Sequence, residues 1–367
     1  MSVYIYQQKD WPNFRWDDSA VVNLLGEVRH LQGKLLGKME SLGFQLRSDA
    51  LLDTLTLDVL KSTEIEGEFL DQDQVRSSLA IRLGLEIAGT VESDRNVDGM
   101  VDMLLDATQN CFDLLTNKRL FGWHAALFPT GWTGTYKIVV GNWRDDSTGP
   151  MQIVSGALGK EKIHFQAPDS AFVPSEMERF INWFNRDTNY DLVLKAAVAH
   201  LWFVTVHPFE DGNGRITRAL TDMLLARSDK NPQRFYSMSA QIRKERKSYY
   251  DILERTQWGT LDITDWMKWF LNCLKNALFA SESLLSHVLV KAGFWKSHSY
   301  IVLNDRQRLM LNKLFDGFDG KLNSSKWAKI TKCSTDTALR DIQDLISKNI
   351  LRKEIAGGRS TNYELVL

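Results

Sequence analysis

The stretch His207-Pro208-Phe209-Glu210-Asp211-Gly212-Asn213-Gly214-Arg215-Ile216-Thr217-Arg218 decides how the rest of this chain is read. It brings a titratable imidazole, a carboxylate, a glycine-asparagine-glycine turn and two arginines into one short segment. Leu194, Val198, Leu201 and Trp202 recur at helical spacing before it, and Ile216, Ala219, Leu220, Met223 and Leu224 do so after it. The segment is therefore a loop between two apolar helices, and the glycines open the second one. The first turn of a helix presents unpaired amide N–H groups and the positive end of the helix dipole, which together make an anion site. Gly212 and Gly214 lack a Cβ, so the backbone can take left-handed conformations and approach a phosphate closely. Arg215 and Arg218 lie three apart and project from the same early turn, with forked donors suited to phosphate oxygens. Asp211 is a hard oxygen ligand beside that site, where Mg²⁺ commonly bridges protein and nucleotide. His207, with an ordinary pKa of roughly 6.5, is the side chain here suited to general-base work near neutrality. The alternative is a helix-capping turn with surface arginines, which leaves the co-occurrence of these residue types unexplained.

His207, Phe209, Asp211, Gly212, Asn213, Gly214, Arg215 and Arg218 match every fixed position of H-x-F-x-[D/E]-G-N-G-R-x-x-R. In this the chain resembles the Fic family. The resemblance implies a protein adenylyltransferase, which moves AMP from ATP onto a Ser, Thr or Tyr hydroxyl of a protein. Doc-like relatives that transfer the γ-phosphate depart from the pattern around the glycines and carry a lysine there. With Gly214, this chain resembles the AMP-transferring branch. The implied roles follow residue by residue. His207 takes the hydroxyl proton, Asp211 holds Mg²⁺, and Gly212, Asn213 and Gly214 cradle the α- and β-phosphates. Arg215 and Arg218 neutralise the β/γ end, so catalysis is mostly positioning and charge stabilisation.

The chain as a whole is unspecialised in composition: 44% apolar, 25% charged, net charge −1. A balance so near neutral gives no global argument for nucleic acid or membrane, so either partner has to be met by a local patch. Cys111, Cys273 and Cys333 are far apart and odd in number, which excludes a disulfide framework or metal cluster and fits a reducing cytoplasm. Met1 to Trp16 contain no apolar h-region, and no uncharged run approaches a membrane span. The expectation is a soluble cytoplasmic protein of two or three domains.

Residues 1–20 form an aromatic, irregular arm with Tyr4, Tyr6, Trp11, Phe14 and Trp16 around Pro12. Helical periodicity begins after Asp18-Ser19, an expected N-cap pair, and a second helix is expected from Asp49 through Leu60. Lys61-Ser62-Thr63-Glu64-Ile65-Glu66-Gly67-Glu68 follows. By itself this is an acidic helix end with Gly67 as C-cap. Beside a Fic-like signature it resembles the family's inhibitory motif, [S/T]-x-x-x-E-[G/N], at Ser62, Glu66 and Gly67. The resemblance implies that Glu66 pairs with Arg218, takes the guanidinium that should hold the γ-phosphate, and leaves ATP in an unproductive pose.

Residues 69–95 read as helical up to a turn at Gly89, and His124 reads as a structural histidine in a later helix. From Gly134 to Ala167 the character changes. Ile138-Val139-Val140, Met151 to Val154 and Lys162 to Phe165 are short β-like runs between Gly141, Asp145-Asp146, Gly149-Pro150 and Gly156 to Gly159. A hairpin upstream of the signature resembles the Fic flap. This implies that Gly149, Pro150, Met151, Gln152, Ile153 and Val154 hold a target protein, or another part of this chain, by main-chain pairing. The alternative is a hairpin that merely covers the core. Lys137 and Arg144 read as solvated charge.

His200 falls on an apolar stripe and reads as a satisfied core histidine. Tyr249 and Tyr250 are the adenine-pocket candidates the resemblance implies, and the sequence leaves open which of them is core. From about Leu303 a separate module begins, with two helices and a hairpin whose tip is Gly357-Gly358-Arg359, similar to a winged helix-turn-helix. Residues 301–367 hold twelve Lys/Arg and eight Asp/Glu, about +4, which leaves about −5 for the remainder. DNA is therefore a candidate partner of the tail, with homodimerisation or protein docking the alternative. The expected protein is mainly α. It has an N-terminal helical module over 1–95 with an inhibitory helix at about 55–68, a Fic-type core over 96–290 with its β-hairpin flap, and a winged helix over 300–367. Two other readings stay open: a de-AMPylase in which Glu66 places a water, and a DNA-binding regulator whose core only senses nucleotide.

Overall fold

Asp17 starts the first long helix: its carboxylate accepts a hydrogen bond from the Ser19 amide at 2.9 Å, satisfying a donor that the first turn leaves free. In the computed structural model, which describes residues 3–87, 89–147, 149–156, 162–315, 318, 320–354 and 361–366, α1 is Asp18–Glu40. The cap is thus Asp17, one residue before the expected pair. Helix α2 (Phe44–Ile65) is longer at both ends than Asp49–Leu60, so Ser62 lies within it and Glu66 closes it. Helix α3 (Gln72–Leu83) stops at Gly84, which adopts the left-handed φ of 66° that other residues resist, well before the expected turn at Gly89. Asp94 caps α4 (Arg95–Gln109) and Thr116 caps α5 (Asn117–Leu127).

Two hairpins follow. Strands β1 (Trp132–Thr133) and β2 (Tyr136–Lys137) make a minimal antiparallel pair. Ile138-Val139-Val140 is not a strand, because its donors go elsewhere: Ile138 N–H to the Gly131 carbonyl, Val139 N–H to the Glu210 carboxylate. The flap is β3 (Gln152–Ser155) paired antiparallel with β4 (Lys162–Gln166), with a bulge between Ile153 and Val154.

Helix α6 (Val173–Asn185) leads to α7 (Leu192–Val206), in which every residue from Val193 to Val206 except Val204 is buried. A helix apolar on all sides belongs in a core. Helix α8 (Asn213–Asp229) packs along it, and α9 (Met238–Lys244), α10 (Arg246–Gln257) and α11 (Thr264–Ser297) complete the surroundings. The chain divides into two compact bodies, Met1–Leu85 with Val91–Leu284, and Glu86–Thr90 with Leu285–Leu367. No division falls at residue 95. Asp58 and Ser62 of α2 bond Ser237 and Arg218, which makes the N-terminal helices part of the body that carries the signature. The second division falls inside α11, ahead of residue 300.

In the second body, α12 (Asp305–Phe315), α13 (Ser324–Thr331) and α14 (Thr335–Ser347) precede a hairpin of β5 (Leu351–Lys353) and β6 (Tyr363–Leu365). Trp327, Met310, Ile342 and Leu345 form its core. Tyr363 N–H donates to the Leu322 carbonyl at 3.0 Å and ties the hairpin to the start of α13. The Gly357-Gly358-Arg359 tip lies outside the described residues.

Helices α4 and α5 approach closely at Gly99, where a Cβ would lie 1.8 Å from the Ala126 carbonyl oxygen. Gly99→Ala should force the two helices apart and cost about 1–3 kcal/mol. Urea unfolding should show this as a lower midpoint, and an unchanged midpoint would contradict the contact.

Candidate active site

Helix α7 ends at His207, which takes a left-handed conformation (φ 52°, ψ 59°) while its N–H still bonds the Phe203 carbonyl at 3.0 Å. A non-glycine residue holds such a conformation only where its neighbours impose it. Arg144 supplies the restraint, its N–H donating to the Pro208 carbonyl at 2.9 Å and its Nε to the His207 carbonyl at 2.8 Å. The imidazole Nδ1 lies 3.2 Å from the Val204 carbonyl. A carbonyl only accepts, so Nδ1 carries the proton and the Nε2 lone pair is left for chemistry. Burial pushes the His207 pKa down to about 4, Arg144 adding to the effect while the Val204 carbonyl, Glu66 and Asp211 oppose it. The ring is therefore neutral near pH 7, as a base must be.

The loop closes on itself. Phe209 is buried and stacks on His124, ring centroids 4.3 Å apart. Asn213 receives the Phe209 N–H at 2.9 Å and donates back to the Phe209 carbonyl at 2.7 Å. Its side-chain amide thus braces the loop, and only its backbone remains for an anion, a narrower role than its place in the signature suggests. His124 is structural, as expected, with Nδ1 accepting from Gly141 and a pKa lowered to about 4 by burial.

Gly212 caps α8 with φ 77°, and a Cβ there would lie 2.9 Å from the Phe128 ring. At Gly214 a Cβ would meet Glu66 Oε1 at 2.1 Å. A carboxylate oxygen therefore occupies the place beside the first turn of α8 where the helix favours negative charge. Glu66 also accepts from Arg218 Nη2 at 2.7 Å, while Ser62 takes Arg218 Nε with its hydroxyl and Nη2 with its carbonyl, both at 2.8 Å. Arg218 is 3% exposed and Glu66 29%. Burial by itself would lower the Arg218 pKa, but the charge and hydrogen bond of Glu66 outweigh it and hold it raised. Gly67, at φ 87°, turns the chain away after Glu66. Arg215 points elsewhere, to Glu68 Oε2 at 2.8 Å and over the Phe128 ring.

Asp211 takes the Thr133 hydroxyl at 2.6 Å on one oxygen and its neighbour Gly212 N–H at 2.5 Å on the other. It borders a cavity of about 480 Å³ with His207, Gly212, Asn213, Gly214, Arg218 and Glu66 on one side. Ile153, Val154 and Tyr250 line it as well. Cavities of this size take a small organic ligand. Tyr249 also reaches the wall but is 2% exposed, and its hydroxyl bonds His200 Nε2 at 2.9 Å. Tyr250, 39% exposed, is the one that faces the space. His200 is a core histidine, its other nitrogen 2.9 Å from Thr221 Oγ1 and its pKa lowered to about 3 by burial.

Of the flap residues, Gly149 takes a positive φ of 111°, Gln152 bonds Gln166 across the hairpin, and Ile153 and Val154 line this cavity. Pro150 and Met151 line a second one. Sequence reasoning missed three residues. Arg144 is buried, not solvated. Glu210 holds the Val139 amide, and Glu68 holds Arg215. Only Glu68 left a trace, as one of three acids in the octet that holds Glu66.

Residues 114–225 match the family described as Fic/DOC, and residues 4–85 match a domain of unknown function, DUF4172. A Fic family protein from Desulfovibrio desulfuricans G20 has a similar fold, with a TM-score of 0.53 at 20% identity over 95% of this chain and 96% of that one. Fic-1 of C. elegans gives 0.50 at 21% identity, over 73% and 74%. In sequence, part of this chain resembles "Protein adenylyltransferase Fic" of Culex quinquefasciatus, 35% identical over 117 residues, 30% of this chain and 22% of that protein. "Protein adenylyltransferase fic-1" of Caenorhabditis elegans is 28% identical over 179 residues, 48% of this chain and 32% of that protein. The matches span about a fifth to a third of these relatives' length.

The neutral ring can be tested directly. NMR titration of labelled histidine should show His207 gaining its proton only near pH 4, staying neutral from pH 5 upward. A midpoint close to 6.5 would contradict the site as described.

Proposed function

We propose that this chain is a protein adenylyltransferase, transferring AMP from ATP to a hydroxyl of a protein, and that Glu66 holds it in check. One observation carries the reading: the open Nε2 of His207 shares a cavity with the first turn of α8 and with Arg218. The relatives named as protein adenylyltransferases support the same chemistry.

In the step itself, the hydroxyl proton passes to His207 Nε2 as the hydroxyl oxygen bonds the α-phosphorus. The bond from that phosphorus to the bridging oxygen breaks, and pyrophosphate leaves. The Gly212 amide is taken by Asp211, so the amides of Asn213 and Gly214 are the first-turn donors for the phosphates, where fixed donors act without reorganisation. Arg218, once free of Glu66, holds the γ end. Asp211 is the carboxylate suited to Mg²⁺, which binds through one or two carboxylates and fills its other positions with phosphate and water. Among the described residues no group of three or more His, Cys, Asp or Glu could hold the ion without nucleotide. Bound there, Mg²⁺ would offset phosphate charge. The flap offers Ile153 and Val154 beside the cavity, and a target segment would pair along β3.

Glu66 restrains this because its carboxylate stands where a phosphate oxygen would, on Gly214 and on Arg218. The Glu68–Arg215 pair adds little, since Glu68 is half exposed and such pairs contribute about 0–1 kcal/mol.

With α-labelled ATP, Glu66→Gly should raise AMP incorporation into the chain itself or into lysate proteins by at least an order of magnitude, roughly 1.4 kcal/mol. Glu68→Gln should change it by less than about threefold. Arg218→Ala should show no gain, and Glu66→Gly with Arg218→Ala should resemble Arg218→Ala alone, since both act through one contact. His207→Ala should abolish transfer and keep ATP binding. If Glu66→Gly is no more active than the parent, the end of α2 is only a helix end.

The second body invites a separate proposal, contact with duplex DNA through the outer face of α14, where Arg340 and Gln343 are exposed one turn apart. Affinity should then fall with salt as counterions are released, and Arg340→Ala should weaken it and reduce the salt slope by about one. Binding that ignores both salt and Arg340 would assign this face to a protein partner.

A further inference from the structure

Arg144 lies outside the signature, and its side chain is wholly withdrawn from solvent. A buried guanidinium persists only when its donors are met, and these are met at three places that no other side chain joins among the described residues. Nε donates to the His207 carbonyl at 2.8 Å. Nη1 pairs with Asp146 Oδ1 at 2.7 Å, and the other oxygen of Asp146 takes the Ser170 N–H at 2.7 Å. Nη2 donates to the Pro168 carbonyl. The Arg144 N–H adds a fourth contact, to the Pro208 carbonyl at 2.9 Å.

These partners have a common geometry. Asp146 precedes β3 and Pro168 follows β4, so they are the two roots of the flap. His207 and Pro208 are the exit of α7. One planar group therefore staples both ends of the target-holding hairpin to the residue that carries the base. The same group meets the left-handed backbone of His207, the point in the loop most in need of external restraint.

Resting on the adenylyltransferase reading, we propose that Arg144 is a positioning residue for that reaction, which fixes the His207 imidazole relative to the flap so that base and target hydroxyl keep one register. It touches neither nucleotide nor target: the cavity that holds His207 and Arg218 does not include it among its walls. A misplacement of a base by about 1 Å costs on the order of 100-fold in rate. The staple therefore acts on transfer and not on nucleotide affinity.

The guanidinium also places a positive charge beside the ring and helps to keep it unprotonated. The other charged or titratable groups near the ring are Glu66, Glu210, Asp211 and Arg218. The cavity is also lined by His164, Arg246, Tyr249, Tyr250, Asp251 and Glu254. Among the described residues none of these groups hydrogen-bonds Arg144, so a change in the ring's titration reports Arg144 itself.

Arg144→Met and Arg144→Lys, each made in the full chain carrying Glu66→Gly, separate geometry from charge. AMP incorporation from α-labelled ATP should fall at least tenfold in Arg144→Met, while the Kd for ATP, measured by calorimetry, stays within about threefold. The His207 ring should titrate higher than in the Glu66→Gly parent, with burial still holding it below the ordinary imidazole value. Arg144→Lys restores the charge but cannot span three acceptors at once. It should therefore keep the low ring pKa and recover the rate only in part. An unchanged rate and ring titration in Arg144→Met would overturn the inference, as would ATP affinity lost in step with rate in both variants, which marks a fold defect. If the Glu66→Gly parent incorporates no AMP at all, it is the adenylyltransferase reading that fails, and the ring titration still decides whether Arg144 governs His207.

Discussion

A guanidinium taken out of water has to be paired, and the rest of this site is arranged around how Arg218 is paired. Ser62 gives it a hydroxyl and a carbonyl, and Glu66 gives it a carboxylate. One cation thereby joins the end of α2 to the start of α8. The same carboxylate lies against Gly214, at the positive end of a helix that would otherwise attract a phosphate. On the function proposed above, Glu66 and a phosphate oxygen would compete for the same donors. Hydrogen bonds to charged groups contribute about 1.5–3 kcal/mol. On that proposal, a contact of this size would hold the site closed and still yield to a change of partner.

Around this pair the loop spends its own side chains on staying still. Asn213 bonds Phe209 twice, Phe209 stacks on His124, Thr133 holds Asp211, and Arg144 holds the carbonyl of His207. Preorganisation of this kind costs nothing at the moment of reaction, because the donors are already aimed. Burial keeps the His207 ring neutral, with its free nitrogen facing the cavity. Local conformation, charge and cavity shape agree at one point, the mouth of α8.

Much of this was legible from residue types alone, because the signature is dense in groups that have few other reasons to occur together. Helices α7 and α8 followed from apolar spacing, and the glycines marked the loop between them. Ser62, Glu66 and Gly67 needed the family resemblance, since an acidic helix end has no chemistry of its own to announce. What stayed hidden depended on tertiary partners. Ile138 to Val140 has strand composition, yet its amides are claimed by Glu210 and Gly131. Arg144 stands in a turn rich in charge and gives no sign that three acceptors await it. Asn213 has a side chain suited to phosphate that folds back on Phe209 instead. Tyr249 and Tyr250 are adjacent, and only packing against His200 sends one inward. The N-terminal helices, expected as a module over 1–95, are bonded through α2 into the same compact body as α8, a contact that sequence pattern cannot report.

The central claim is that Glu66 fills the seat of a γ-phosphate. Calorimetric titration of ATP and ADP, with Mg²⁺, against the parent and against Glu66→Gly tests it without relying on turnover. The account predicts that the parent barely distinguishes the two nucleotides, and that Glu66→Gly prefers ATP by about tenfold or more, since Arg218 is then free for the third phosphate. An ATP-to-ADP ratio that is the same in both proteins would contradict it.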